Sequence, residues 1–319
     1  MQSIQIPDTK PWNGAVALPD LGIITAQGAD TATFLHGQFS QDMANQPAEQ
    51  ARLAAYCSPK GRMLASFQSL RLAPDTYWLL TDLSVLPATL KRLSMFVLRS
   101  KVKLQDAAGS LCAVGLAGAS AEAQAGQRAP GSVWLHEATA GWLIRLPDVV
   151  GAVRCLWVGP ADQAASWLTD QPALSLDQWN WLQVASGVPN IQAAGVDQFV
   201  PQMVNYELVG GVNFSKGCYP GQEIVARSQY RGTLKRRAFV MHAAAPLTAG
   251  QEVFSEADPG QPAGMVVNAA PMPGSNHWSA LVELKLNALD TALHAGAANG
   301  ALLSLGQLPY AIPASDPGE

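Results

Sequence analysis

The stretch Lys216-Gly217-Cys218-Tyr219-Pro220-Gly221-Gln222-Glu223-Ile224-Val225-Ala226-Arg227 sets one thiol among turn-forming residues and cationic side chains. Gly217, Pro220 and Gly221 are strong turn formers, so Cys218 is expected on a tight loop that presents its sulfur. From Lys216 to Arg237 the basic residues are Lys216, Arg227, Arg231, Lys235, Arg236 and Arg237, and the single acid is Glu223. The segment therefore carries +5 in a chain whose net charge is −4, and everything outside it sums to −9. Basic neighbours raise a cysteine's thiolate fraction, so one reading is a reactive or ligating thiol, provided the loop folds Lys216 and Arg227 toward the sulfur. The other reading is a free cysteine in an ordinary loop, followed by a solvated basic helix.

A chain of 319 residues exceeds the usual size of one domain, so two or three domains sharing interfaces are expected. Its 48% apolar content is too high for disorder, and its apolar runs are too interrupted for a membrane span: Ala107 to Ala121 is uncharged but rich in Gly and Ala and shorter than the ~20 apolar residues a spanning helix needs. Met1 to Asp8 lacks a basic start followed by an apolar run, so a cytoplasmic protein without a secretory signal is expected. Cys57, Cys112, Cys155 and Cys218 stand at least 43 positions apart with no ligand-like pairing, so no self-contained metal site is expected. Cys112 and Cys155 fall in strand-like apolar runs and read as small buried hydrophobes, and Cys57, beside Pro59-Lys60-Gly61, reads as structural.

Periodicity gives an α+β organisation. Strands are expected at Gly22 to Ala26, Ala51 to Tyr56, Met63 to Leu72, Tyr77 to Thr81, Lys101 to Leu104, Val133 to Leu135, Trp142 to Arg145 and Val153 to Val158. Helices are expected from Asp30, as N-cap, through Phe39, from Val85 to Val97, and from Ala161 to Leu168. After residue 237 the pattern changes to short strands between Gly/Pro turns, at Ala238 to Ala243, Glu252 to Ser255, Met265 to Asn268 and Ser279 to Leu286. That pattern suggests a small antiparallel barrel.

The 216–227 segment resembles the signature of the YgfZ family, folate-binding proteins related to the T-protein (aminomethyltransferase) of the glycine cleavage system and to mitochondrial iron–sulfur assembly factors. Phe199 to Asn205 and Gly210 to Phe214 are similar to the family's lead-in, and Tyr230-Arg231-Gly232 with Lys235-Arg236 to its follow-on. Gly28-Ala29-Asp30 with Phe34-Leu35-His36-Gly37-Gln38 resembles its first helix, and Cys57 to Arg62 its first strand turn. The resemblance implies a T-protein-like folate-binding region with a ferredoxin-like part over residues 1–237, in two interleaved subdomains, and a C-terminal β-barrel over 238–319. It implies tetrahydrofolate or another reduced folate as cofactor, and Trp179 as a position associated with folate binding. Gln38, Lys60, Arg99, Lys101, Asn205 and Arg227 are candidates for polar or cationic groups around that folate. Cys218 is the expected functional thiol, supported by Lys216, Gly217, Tyr219, Gly221, Gln222, Glu223 and Arg231. A core aromatic on an amphipathic helix is the alternative for Trp179, whose neighbours Trp181 and Leu182 are also apolar.

Three departures from the related transferases are visible. An aromatic position of the family's pocket corresponds to Leu21. The transferases' adjacent carboxylates after the early glycine turn are missing from Gly61-Arg62-Met63-Leu64-Ala65-Ser66, and a further acid corresponds to Ala185. Without acids in reach of the folate, aminomethyl transfer is disfavoured. The resemblance therefore implies a non-catalytic, folate-binding accessory protein that supports iron–sulfur cluster assembly or repair and affects tRNA thiolation enzymes indirectly. Its expected partners are folate and iron–sulfur enzymes or cluster-assembly proteins. A tetrahydrofolate-dependent one-carbon transferase is the alternative. Direct nucleic-acid binding is disfavoured by the overall acidity and the single short basic cluster.

Overall fold

The computed structural model describes residues 4–230 and 234–313. Strands β1 (Gly14–Ala17) and β2 (Leu21–Gln27) precede helix α1 (Thr31–Gln38). Next come β3 (Ala51–Cys57), β4 (Met63–Ala73), β5 (Thr76–Asp82), α2 (Leu86–Val97) and β6 (Lys103–Asp106). With β2 these strands make an antiparallel sheet in the order β3-β4-β5-β2-β6. Alternation along the strands decides which layer each side chain joins. Ile24 and Leu79 point to the helices, packing with Phe34, Leu35, Leu86 and Leu93, whereas Ile23 and Leu80 enter the core shared with a second sheet.

That second sheet is built from β7 (Leu111–Ala117), β8 (Val133–His136), β9 (Gly141–Val149) and β10 (Ala152–Pro160), with β1 at its edge, in the order β1-β7-β10-β9-β8. Helices α3 (Ala119–Ala125) and α4 (Ala164–Asp170) cover its outer face over Leu116, Cys155 and Trp157. Its inner face, with Ile144, Leu156 and Val158, packs on the first sheet. Helix α5 (Leu176–Ala185) begins with a capping box, Ser175 and Gln178 satisfying each other's backbone N–H groups. Its Trp181 packs edge-on against Trp12 and donates Nε1–H to Ser279 Oγ at 2.9 Å, fixing α5 between the sheets and the C-terminal barrel.

After helix α6 (Gln222–Tyr230) the chain forms β11 (Arg236–Ala243), β12 (Glu252–Ser255), β13 (Asp258–Pro271), β14 (Trp278–Lys285), β15 (Leu293–Ala295) and β16 (Ala301–Leu305). They close into a six-stranded antiparallel barrel, as the sequence led us to expect. β13 runs much longer than the expected Met265 to Asn268. Pro259 and Pro262 hide its first half from pattern reading, and the pairing with β12 shifts register there. The expected helix at Ala161 to Leu168 is a 3₁₀ turn at Ala161–Gln163 followed by α4. Asp30 precedes α1 but makes no side-chain cap, because its Oδ2 accepts the Lys101 backbone N–H at 2.7 Å instead. Among the described residues no helix is long and apolar enough to cross a membrane.

Candidate functional site

Cys218 is exposed, on a loop held from both sides. Ahead of it, Lys216 is buried and its Nζ donates to the carbonyls of His36 and Phe39, the latter at 2.7 Å. Burial pulls the Lys216 ammonium down to about 8, while Asp42 and Cys218 act in the opposite direction. Nζ also lies 4.9 Å from the centre of the Tyr219 ring, which is buried beneath the loop. Behind the cysteine, Gly221 has φ +80°, and a Cβ there would fall 2.4 Å from Ser58 O and 2.6 Å from the backbone of Gly61. Gly61 has φ +71°, and its Cβ would lie 2.8 Å from Ile224 Cβ. The two glycines therefore let the 57–62 turn and the start of α6 meet backbone to backbone, joining two motifs that lie some 160 residues apart.

Lys216 turns inward to satisfy two carbonyls, and Arg227 is exposed on α6, as is Glu223. Gly217 approaches His36 Nε2, at 3.3 Å from its hypothetical Cβ, and His36 Nδ1 lies 3.0 Å from Asp42 Oδ1. Gln222 opens α6, and Arg231 lies outside the described residues. Among the described residues no group of three or more His, Cys, Asp or Glu side chains is arranged to hold a metal ion.

A separate cavity of about 780 Å³ opens where both sheets, α5 and the barrel meet. Leu21, Leu80, Leu156 and Leu176 supply apolar wall, and Gln68, Asp82, Asn180, Gln183, Asn190 and Tyr310 supply polar groups. Arg145 and Arg154, from β9 and β10, also line it, and both are more than nine-tenths buried. Arg145 donates to the Leu146 and Arg154 carbonyls and pairs with Asp148, yet its Nε–H is buried without a hydrogen-bond partner among the described residues. Arg154 donates to Pro147 O, at 3.2 Å from both Nε and Nη2, and to Gln183 Oε1. Burial, offset by Asp148 and reinforced by Arg145, pulls the Arg154 guanidinium down to about 9, so it remains charged at neutral pH.

Of the residues expected at a folate pocket, Trp179 reaches this cavity, and so does Leu21 at the position where the family carries an aromatic. Trp179 is only 4% exposed. One side of its indole faces Gly115, where a Cβ would come within 2.6 Å of the ring, and the Arg154 guanidinium lies over the ring at 5.8 Å from the centroid. It therefore lines the cavity while packed against Gly115 and Arg154.

Gln38, Lys60, Arg99, Lys101, Asn205 and Arg227 do not line the cavity. Lys60 is exposed in the turn after β3, and Arg99 and Lys101 are exposed after α2. Gln38 ends α1 with its Oε1 buried and unpartnered among the described residues. Asn205, at φ +59°, is committed to the backbone of Ala238, donating to its carbonyl at 2.7 Å and accepting its N–H at 3.3 Å. It reaches the cavity only through a 3.4 Å contact with the Tyr310 hydroxyl. Sequence reasoning missed Arg145, Arg154, Asp82 and Tyr310. The two arginines stand inside apolar strands of the second sheet, and that break in the pattern was the available signal.

The thiol loop and the cavity share one strap. Phe39 O receives Lys216, Ser40 Oγ donates to Gly211 O at 2.6 Å, and Gln41 Nε2 donates to Gly210 O at 2.8 Å. Gln41 and Gly210 line the cavity, whereas no residue from 211 to 230 does.

No protein-family model matches the chain. The tRNA-modifying protein YgfZ of Sodalis glossinidius is 32% identical over 310 residues, 93% of each chain. That of Photorhabdus laumondii is 30% identical over 310 residues, 93% of this chain and 92% of the relative. Among solved structures, the glycine cleavage system aminomethyltransferase T from Bartonella henselae matches with a TM-score of 0.73 at 16% identity, covering 94% of this chain and 87% of that one. This last likeness is one of fold.

Proposed function

Because the chain belongs to the YgfZ family, we propose that it is a folate-binding accessory protein. In this reading it supports iron–sulfur cluster assembly or repair in other cytoplasmic proteins and, through them, tRNA modification. Cys218 is its functional thiol. The observation that carries the proposal is the cavity at the junction of the sheets, α5 and the barrel, strapped to the thiol loop through Phe39 to Gln41.

The residues present fit a reduced folate. The volume of about 780 Å³ falls within the roughly 300–1,000 Å³ usual for small-molecule sites. The wall mixes leucines with the amide and hydroxyl groups of Gln183, Asn180, Asn190 and Tyr310. Leu21, Leu80, Gln183, Asn180 and Tyr310 would hold the ligand. A reduced folate would supply a nitrogen able to carry a one-carbon unit.

The transferase alternative draws on Asp82, a cavity carboxylate from the end of β5. Its oxygens already accept from the Ser84 N–H at 3.0 Å, the Ser84 hydroxyl and the Asn190 amide at 3.0 Å. Leu64, Ala65 and Ala185 offer no acid. The accessory role is therefore preferred.

The test is made in cells that lack the chain and receive either the native protein or Cys218→Ala. Iron–sulfur enzyme activities and thiolated tRNA nucleosides should fall in its absence, recover with the native protein and stay low with Cys218→Ala. Normal values in all three would remove the proposal.

A further inference from the structure

We propose that the C-terminal end of α2 and the adjoining edge strand β6 form a docking surface for an acidic, extended segment of a partner protein. The inference rests on the accessory reading above and names the surface that holds the partner near Cys218.

From Lys91 to Lys103 the chain carries Lys91, Arg92, Arg99, Lys101 and Lys103 and no acid, a charge of +5 in a protein whose total is −4. Among the described residues none of the five takes part in an ion pair. Asp30, Asp75 and Asp106 stand at the margin, through the Lys101 N–H, the Gly28 N–H and the end of β6, so five cations stand against three acids. Set among these charges are Met95, 58% exposed, Phe96, 43%, and Leu98, 86%. Helical spacing puts Met95 one turn from Lys91, and Phe96 one turn from Arg92, whose guanidinium carbon lies 5.8 Å from the ring centre. Leu86 and Leu93 already anchor α2 in the core, so packing does not call for these three. Leu98 is also held at φ +43°, a left-handed backbone that costs free energy in any residue but glycine. Exposed apolar side chains gathered within four positions and rimmed by charge mark an interaction site.

The sheet edge decides what sits there. β6 is the last strand in the order β3-β4-β5-β2-β6 and pairs with β2 alone, and its Lys103, Gln105 and Asp106 are exposed. Its outer N–H and C=O groups have no backbone partner among the described residues, and an extended peptide can pair with them. Lipid offers no such pairing. Stacked bases need aromatic faces, which Met95 and Leu98 lack, and Arg92 already lies over Phe96. Lys101 and Lys103 favour Asp or Glu on the added strand and repel a second copy of this chain, whose own edge carries the same charge. The patch also stands near the thiol. Asp30, which holds the Lys101 N–H, leads into α1, and the far end of α1 gives the His36 and Phe39 carbonyls to Lys216, two residues before Cys218. α1 has eight residues, a length of roughly 12 Å. If the patch were only a solvated helix end, altering it would leave the protein's cellular role untouched.

The experiment uses cells that lack the chain and receive the full-length native protein, Met95→Ser with Leu98→Ser, or Lys101→Glu with Lys103→Glu. All four positions are exposed, so Tm and tetrahydrofolate binding should match those of the native protein. Recovery of iron–sulfur enzyme activity should fall about 5- to 10-fold with either pair. In a second arm, a photo-crosslinking amino acid placed at Met95 of the otherwise native chain should join to an acidic segment of an iron–sulfur or cluster-assembly protein, mapped by mass spectrometry. The same amino acid placed at Leu302, exposed on β16, should not. Full recovery with either folded pair overturns the surface and leaves the accessory reading standing. Crosslinking at Met95 to RNA, to lipid or to a second copy of this chain also overturns it, as does no crosslink or an equal one from Leu302, even if a substituted pair fails to fold. Unchanged activity in cells without the chain removes the accessory reading and the surface with it.

Discussion

Replacing Gly221 by alanine isolates the contact that locks the thiol loop to the 57–62 turn. At φ +80° an L-residue pays about 1–2 kcal/mol for the left-handed backbone. The new Cβ would also sit 2.4 Å from Ser58 O and 2.6 Å from Gly61 Cα and N, all backbone atoms that cannot rotate away. Relief of such an overlap costs a further ~1–3 kcal/mol. The sum is about 2–5 kcal/mol. With an unfolding entropy of about 2.1 cal/mol/K per residue, a chain of 319 residues loses roughly 3–7 °C in Tm, and more if the affected part melts separately. Gly217→Ala is the control, since its φ lies outside the left-handed region and its nearest new neighbour is a side-chain atom, His36 Nε2, at 3.3 Å. Differential scanning calorimetry should show a clear drop for Gly221→Ala and a change within about 1 °C for Gly217→Ala. Equal Tm values for the two variants would refute the locking argument.

Alkylation at neutral pH followed by mass spectrometry should label Cys218 first. Burial pushes the Cys57 and Cys155 thiols up to about 12 and about 11, and Cys218 alone among the four is exposed. If Cys218 proved the slowest thiol, it could not serve as the functional one. Burial holds Lys216 at about 8 against 10.5, so between those values the folded state binds fewer protons than the unfolded. This residue's contribution to stability is therefore least favourable below pH 8 and rises toward pH 10.5. The Tm of the native protein relative to Lys216→Met should increase between about pH 7 and pH 10, and a decrease would contradict the sign. Purified protein should not release an aminomethyl group from a lipoylated carrier. Turnover above background that is lost in Asp82→Asn would promote the transferase alternative.

Most of the fold was legible where a single period dominated. The alternation in β2 and β5 and the helical spacing in α2 placed the first sheet and its helices, and the Gly/Pro turns after residue 237 announced the barrel. Reading failed where tertiary partners override local chemistry. Asp30 reads as a cap, yet it serves the Lys101 N–H across the sheet edge. The pairing of Cys57 to Arg62 with the 218–224 loop was also hidden, because two positive-φ glycines that meet in space carry no sequence signal of each other. The thiol motif stood out because turn formers and charge concentrate there. The cavity did not, because its residues come singly from both sheets, α5, the barrel and the C-terminal Tyr310. Surface cations such as Lys60 and Arg227 were nominated by charge, whereas Arg145 and Arg154 were concealed within apolar strands that read as core.

The central claim is that the cavity beside Trp179 and Arg154 is a folate site. Isothermal titration of the native protein with tetrahydrofolate tests it most directly, with Trp179→Ala as the companion because that change removes the support behind Arg154. The account predicts saturable one-site binding, weakened about tenfold or more in the variant. No detectable heat at millimolar tetrahydrofolate, or identical binding by the two proteins, would contradict it.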